Sequence, residues 1–371
     1  MNKEYNFIRE VRQQPDVVRK SLEFADQQLK DLAKKYCGKI DRIILVGCGD
    51  SYMLGIPAVY AFESWSKIPA EAIEAAELSL YRRHVIDDRT LVILISSSGK
   101  SIRVIDAGEA AEKNGAKILA LVNQVPSPLA DSADEAIQTQ AGATNAYPSK
   151  TTTTAMAILF TLALHLAENL HTLTPEIISS LKSELFDQIP RVMNKVLQTE
   201  NEMKGLAEKY ASASIYSFIG SGPNMGTALL AAAKMGETSQ SLSRATNLEE
   251  FSHLHGYTIQ ENEPIFMIDG PGEIGERGRL MAEVILANGG KVIVVGMGES
   301  RERWGELAET YIEVPMHTEM FGPLVNWLPL QMFAYYIGIS KGRNPDKPAR
   351  FGTEDVQKII YGGMLDGYDE R

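Results

Sequence analysis

The sequence predicts two tandem α/β domains, each a doubly wound parallel sheet, with a helical arm before them and a tail after them. Three observations carry this. The chain has 371 residues, beyond the roughly 250–300 at which a single hydrophobic core stops growing. Apolar, β-branched runs alternate with helical patterns, as in parallel strands covered on both faces. Four segments also recur at a nearly constant offset, the mark of a duplicated unit.

The elements follow in order. Residues 1–35 are helical in pattern and charged, an arm or packing helix. Asp41-Arg-Ile-Ile-Leu-Val-Gly47 and Ser214-Ile-Tyr-Ser-Phe-Ile-Gly220 are apolar runs ending in glycine, 173 residues apart. Leu91–Ile95 ends at Ser-Ser-Ser-Gly99, and Ile265–Ile268 ends at Asp-Gly-Pro-Gly272, again 173 apart. Asn114–Val122 matches Asn288–Gly296 at 174, and Ala136-Ile137 matches Tyr311-Ile312 at 175. Ile102 to Asn114 is amphipathic and leads into the strand Ile118–Val122; Arg279 to Asn288 does the same before Val292–Val295. The stretch Ala155 to Ala167, interrupted by Thr161 and His165, is too short to span a bilayer and reads as a buried helix. The predicted organisation is an arm over 1–35, a first domain over 36–190, a second over 200–345 and a tail over 346–371.

Composition narrows the function. Hydrophobic residues make up 44% and charged residues 23%, as in a folded globular protein. Lysine and arginine number 37 against 48 acidic residues, a net charge of −11. An acidic surface repels nucleic acid and anionic lipid; neither is expected as a partner. The two cysteines, Cys37 and Cys48, form no disulfide framework and have no metal-ligand spacing. The opening MNKEYNFIREVRQQ has no apolar run, so a cytoplasmic location is expected. No cofactor and no metal are expected; His253 and His255 form a His-x-His pair without an evident third ligand.

Two loops of the first copy leave strand ends and open helices: Gly47-Cys-Gly-Asp-Ser51 and Ser96-Ser-Ser-Gly-Lys-Ser101. In doubly wound sheets ligands bind beyond the carboxyl ends of the strands. Glycines such as Gly49 let the backbone approach a ligand, while hydroxyls and helix N-terminal amides donate to an anion. Ser51, Ser96, Ser97, Ser98 and Ser101 supply the hydroxyls, and Lys100 a positive charge. Isolated serines at such places merely cap helices; five on two neighbouring strand ends point to anion binding. The matching loop of the second copy, Asp269-Gly-Pro-Gly-Glu-Ile-Gly-Glu, has carboxylates instead. One anion site per chain is therefore expected. Cys48 reads as a small buried residue rather than a nucleophile, and His165 as a core histidine.

Over roughly residues 40 to 350 these features resemble the sugar isomerase (SIS) domain family, in its two-domain form. The resemblance is to the isomerase half of glucosamine-6-phosphate synthase and to fructosamine-6-phosphate deglycases, and it implies flavodoxin-like domains. The strand–Gly-x-Gly-x-Ser start is similar to the family's first phosphate loop. Ser96 to Ser101 is similar to its Ser-x-Ser-Gly-x-Thr loop, and Ser149-Lys150-Thr151 to its Ser/Thr-Lys segment after the fourth strand. In the family a glutamate three residues after a lysine moves a proton between C1 and C2 of the sugar; Lys234-Met-Gly-Glu237 fits that pattern. A histidine that opens the sugar ring, usually from the neighbouring subunit, follows at the family's spacing of sixteen as His253. Two residues are inserted before the following glycine, so His255 is the alternative.

The resemblance implies an aldose–ketose isomerase or deglycase acting on a sugar with an anionic C6 group, through an enediol(ate). It also implies a homodimer with sites at the subunit interface. A carboxylate near carbon can both take and return a proton, and histidine can shuttle one near neutral pH. The synthase's C-terminal substrate lysine is replaced by Thr353, and Arg350 makes the tail more like that of deglycases. Lys100 departs from many relatives, and fits a phosphate or another C6 anion such as a sulfonate. The competing class is a non-catalytic sugar-phosphate sensor, which need not keep Glu237 and His253 at this spacing.

Overall fold

The computed structural model describes residues 4–144 and 147–346. Two compact units result: one holds residues 16–144 and 150–186, the other 4–15, 147–149 and 187–346. The N-terminal helix runs Asn6–Tyr36, and the division falls within it, after Pro15.

The first unit contains a five-stranded sheet of β1 (Arg42–Gly47), β2 (Ala70–Glu74), β3 (Thr90–Ser96), β4 (Lys117–Val122) and β5 (Glu135–Gln138). Its order is β2-β1-β3-β4-β5, and every pairing is parallel. All seven residues of β3 are buried, as a continuous apolar run between two helical layers requires. The helix Ile102–Lys113 turns Ile102, Val104, Ile105, Ala107 and Ala111 inward.

The helix Lys150–Leu170 is longer than the predicted apolar stretch. At 21 residues it has the length and composition of a membrane span, yet Lys150 through Ala167 are all buried among protein. His165 lies on it, 1% exposed. Its Nε2 is 2.7 Å from Asp26 Oδ1, and its Nδ1 3.3 Å from Glu168 Oε2. Burial of this histidine is thus accompanied by polar partners, as a buried polar group demands.

The second unit repeats the plan with β6 (Tyr216–Ile219), β7 (Ser243–Thr246), β8 (Pro264–Ile268), β9 (Lys291–Met297) and β10 (Thr310–Val314). The order β7-β6-β8-β9-β10 is the same, and again all pairings are parallel. Both sheets thus have the flavodoxin-like order. β2 and β7 extend the sequence-predicted count from four strands to five per copy, so Ser149-Lys150-Thr151 follows the fifth strand. Ala-Glu-Ala-Ile-Glu and Ser-Arg-Ala-Thr are half-buried edge strands, without the apolar run that marks a central one. The helix leading to β9 spans Gly272–Ala287, beginning before the expected Arg279 because its first turns are polar.

Candidate active site

In the first unit the chain leaves β1 for β2 on one side and later takes up β3 on the other. The carboxyl ends of β1 and β3 therefore flank the point where strand order reverses, the usual ligand crevice of such sheets. The predicted anion loops are the two that leave these ends. A Cβ at Gly47 would lie 2.4 Å from the Ser51 carbonyl carbon, so glycine lets the chain turn back on itself there. Gly49, at φ +56°, precedes the short helix Asp50–Met53, a backbone conformation that suits glycine. The buried Asp50 accepts a hydrogen bond from Thr152 Oγ1 at 3.1 Å, tying this loop to the helix Lys150–Leu170.

The β3 loop is built from its own hydroxyls. Ser96 Oγ accepts from the Gly99 amide at 3.1 Å and lies 3.0 Å from Ser101 Oγ. Ser98 Oγ accepts from the Lys100 amide at 3.2 Å. The Ser97 carbonyl accepts from the amides of Asn123 and Gln124, fixing the loop to the end of β4. Ser101 occupies the N-cap position of Ile102–Lys113 but makes no side-chain cap bond; its hydroxyl turns to Ser96 instead. Lys100 is half-buried, and Arg103, which bonds Asp106 at 3.0 Å, adds a second cation one turn on. The structure thus brings Gly49, Ser51, Ser96, Ser97, Ser98, Lys100 and Ser101 to one end of one sheet. Lys150 and Thr151 are buried at the start of their helix, and Ser149 is buried just before it.

Cys48 lies in the first of these loops, with its thiol 3.1 Å from Glu74 Oε1. Burial, reinforced by Glu74, pushes that thiol up to about 12. It stays a thiol at neutral pH, whereas a nucleophile must be a thiolate.

The second unit holds the predicted proton-transfer residues. Lys234 and Glu237 sit one turn apart on the helix Asn224–Ser239 and form an ion pair. The lysine side chain is fully buried, while the carboxylate is 28% exposed. The helix Trp327–Ser340 packs behind, with Gly338 against it: a Cβ there would lie 2.4 Å from the Thr238 carbonyl oxygen. His253 is exposed and His255 half-buried, both on the segment Phe251–His255 that follows β7. Burial, aided by the Arg244 charge, holds the His255 imidazole below its ordinary range. Glu249 pairs with Arg277 at 2.8 Å. The helix bearing Glu237 ends just before β7 begins, and Arg244, near the start of β7, bonds Thr258 just beyond His255.

The crevice of the second sheet is different in kind. Asp269, just after β8, has a buried side chain that pairs with Arg303 at 3.1 Å. Burial raises its carboxyl above the usual range, and burial does the same to Glu319, which flanks Gly270. Two carboxylates stand where the first sheet presents hydroxyls. Among the described residues no group of three or more His, Cys, Asp or Glu could hold a metal. Arg350 and Thr353 lie outside the described residues. Sequence reasoning missed Arg103, Thr152, Gly338 and Arg244. Only Arg103 carried a usable signal, a cation two residues past the serine loop.

Comparison with known proteins bears on the family and the fold. Residues 38–166 match the SIS domain family. The chain is 30% identical over 349 residues to glutamine--fructose-6-phosphate aminotransferase [isomerizing] of Clostridium tetani, covering 92% of this chain and 57% of that protein. It thus spans little more than half the length of the curated relatives it matches. The C-terminal domain of glucosamine-fructose-6-phosphate aminotransferase from Francisella tularensis superposes with a TM-score of 0.87 at 25% identity, over 93% of this chain and 99% of that one. Tagatose-6-phosphate ketose/aldose isomerase from Escherichia coli shares the fold, with a TM-score of 0.79 at 19% identity, over 92% and 94% of the two chains.

Proposed function

We propose that this chain, whose residues 38–166 match the SIS domain family, is an aldose–ketose isomerase or deglycase acting on a sugar with an anion at C6. A 6-phosphosugar or amino-sugar 6-phosphate is the favoured substrate, since the Clostridium relative is named for fructose 6-phosphate. The observation that carries the reading is the pairing of Glu237 with the fully buried Lys234. A buried ammonium fixes the carboxylate in place while leaving it reachable, which a base moving one proton between neighbouring carbons needs.

The roles follow. Ser51, Ser96, Ser97, Ser98, Lys100 and Ser101 hold the C6 anion, with Gly49 allowing close approach. Ser149, Lys150 and Arg350 are assigned to substrate binding. His253, or His255, opens the ring by shuttling a proton between ring oxygen and O1. Glu237 removes the proton from C2, giving an enediol(ate), and returns it to C1; in the opposite direction the two carbons exchange roles. In a deglycase the substrate carries its amine on C1: Glu237 takes the proton from C1 and returns it to C2, and water then adds to the resulting C1 imine and releases the amine, leaving an aldose. The working assembly is a homodimer, in which the histidine serves the neighbouring copy; dilution to monomer should then abolish turnover.

Proton exchange tests the reading. The protein is incubated in heavy water with fructose 6-phosphate, glucosamine 6-phosphate, a fructosamine 6-phosphate and a 6-sulfo sugar, and followed by NMR. Deuterium entering C1 or C2 is expected with one of them, and its companion product separates isomerase from deglycase. Binding without exchange in any would instead favour a sugar-phosphate sensor.

A further inference from the structure

Arg244, the second residue of β7, has its guanidinium bonded along every edge. Nε donates to Ser217 Oγ at 2.7 Å, and Nη2 to the two Glu263 oxygens at 2.7 and 3.0 Å. Nη1 donates to Thr258 Oγ1 at 2.5 Å. Ser217 also donates to Glu263, whose side chain is fully buried, while that of Arg244 is 14% exposed. Desolvating two such charges costs several kcal/mol per ion, so a pair this deep does little for net stability. Its geometric effect is larger.

The pair holds the stretch between β7 and β8. Thr258 Oγ1 donates onward to the His255 carbonyl at 3.1 Å. Glu263 accepts from the Gln260 amide at 2.9 Å. The guanidinium also lies over the Phe251 ring, 5.6 Å from its centroid. Phe251 is fully buried, and its ring is 6.0 Å from the His255 imidazole. Arg244 therefore grips the segment at Phe251 and at Thr258, with His253 and His255 between the two grips.

We infer that Arg244 is a positioning residue that fixes the His253–His255 segment against the second sheet, and so sets the rate of the step the histidine performs. This rests on the function proposed above. Glu263 anchors the guanidinium, Ser217 orients it, and Thr258 passes its hold to the backbone of His255. The positive charge beside His255 works in the same direction as its burial, and Glu263 opposes it. The imidazole so held stays neutral to lower pH than an ordinary histidine, able to accept a proton.

Two variants test this without leaving Glu263 alone in the interior. Thr258→Val removes only the tie to the segment. Arg244→Lys keeps the charge opposite Glu263 but loses the planar fork that makes several bonds at once. In both, amide hydrogen exchange over residues 251–258 should speed up. Losing one hydrogen bond to a charged group should lower kcat about tenfold while KM changes less than about twofold. Thr258→Ser should restore both. Folded variants with wild-type exchange, or with faster exchange and unchanged kcat, would overturn the inference. If the wild-type protein turns over none of the sugars tested, the functional reading falls instead. The exchange data then decide by themselves whether Arg244 fixes the segment.

Discussion

Gly99 and Ser127 occupy space that a β-carbon would take from them: a Cβ on Gly99 would lie 2.2 Å from Ser127 Oγ and 2.6 Å from Ser127 Cβ. Gly99 also sits at φ +67°. The β3 loop can therefore close on the end of β4 only with glycine at that position. Gly99→Ala should cost about 1–2 kcal/mol for the left-handed backbone alone, with the clash added. Thermal unfolding should show the loss, and KM for the sugar should rise, because the hydroxyls of Ser96 and Ser98 hang on the same loop. An unchanged KM in the folded variant would separate this loop from the anion.

Ser96 and Ser101 face each other at 3.0 Å across the mouth of the loop. Hydrogen bonds to charged groups contribute about 1.5–3 kcal/mol, and 1.4 kcal/mol is a factor of ten. Ser101→Ala should therefore raise KM about tenfold or more with kcat little changed. Stability should hold, since the Ser101 side chain makes no cap bond to its helix.

Cys48 should be inert to alkylating reagents through neutral and mildly alkaline pH. Burial and Glu74 push its thiol up to about 12, so the reactive thiolate is scarce below that value. Cys48→Ser should keep turnover. Rapid alkylation at pH 8 with loss of activity would show that the thiol is exposed to the chemistry.

The sheets were legible from sequence because parallel strands buried on both faces must be continuously apolar, as Leu91–Ile95 and Val292–Val295 are. The duplication also let each copy check the other. β2 and β7 escaped because edge strands need no such run: Glu71, Glu74 and Arg244 are useful there. The serine loop was legible because its residues are neighbours in the chain. Arg244 was not, because its partners Ser217, Thr258 and Glu263 are far apart in sequence and meet only when β6, β7 and the approach to β8 align. Gly338 was equally hidden, since its neighbour Thr238 lies 100 positions away on another helix.

That neighbour makes Gly338 a lever on Glu237. A Cβ there would press on the Thr238 carbonyl at 2.4 Å, one residue from the carboxylate. Overpacking of this kind costs about 1–3 kcal/mol. Gly338→Ala should lower the melting temperature and reduce kcat more than it alters KM, because displacement of a positioned base slows proton transfer rather than binding. Wild-type kcat in a destabilised variant would show that Glu237 tolerates the shift.

The role of Glu237 in moving the proton is the centre of the account, and one variant addresses it most directly. Glu237→Gln keeps the shape of the side chain but cannot act as a base at neutral pH. Solvent deuterium incorporation and sugar binding are measured side by side on the same preparation. Exchange at C1 and C2 should vanish, while binding, read by calorimetry, stays within about threefold of wild type, as expected when only transition-state interactions are removed. Wild-type exchange in Glu237→Gln would contradict the account and place the base elsewhere.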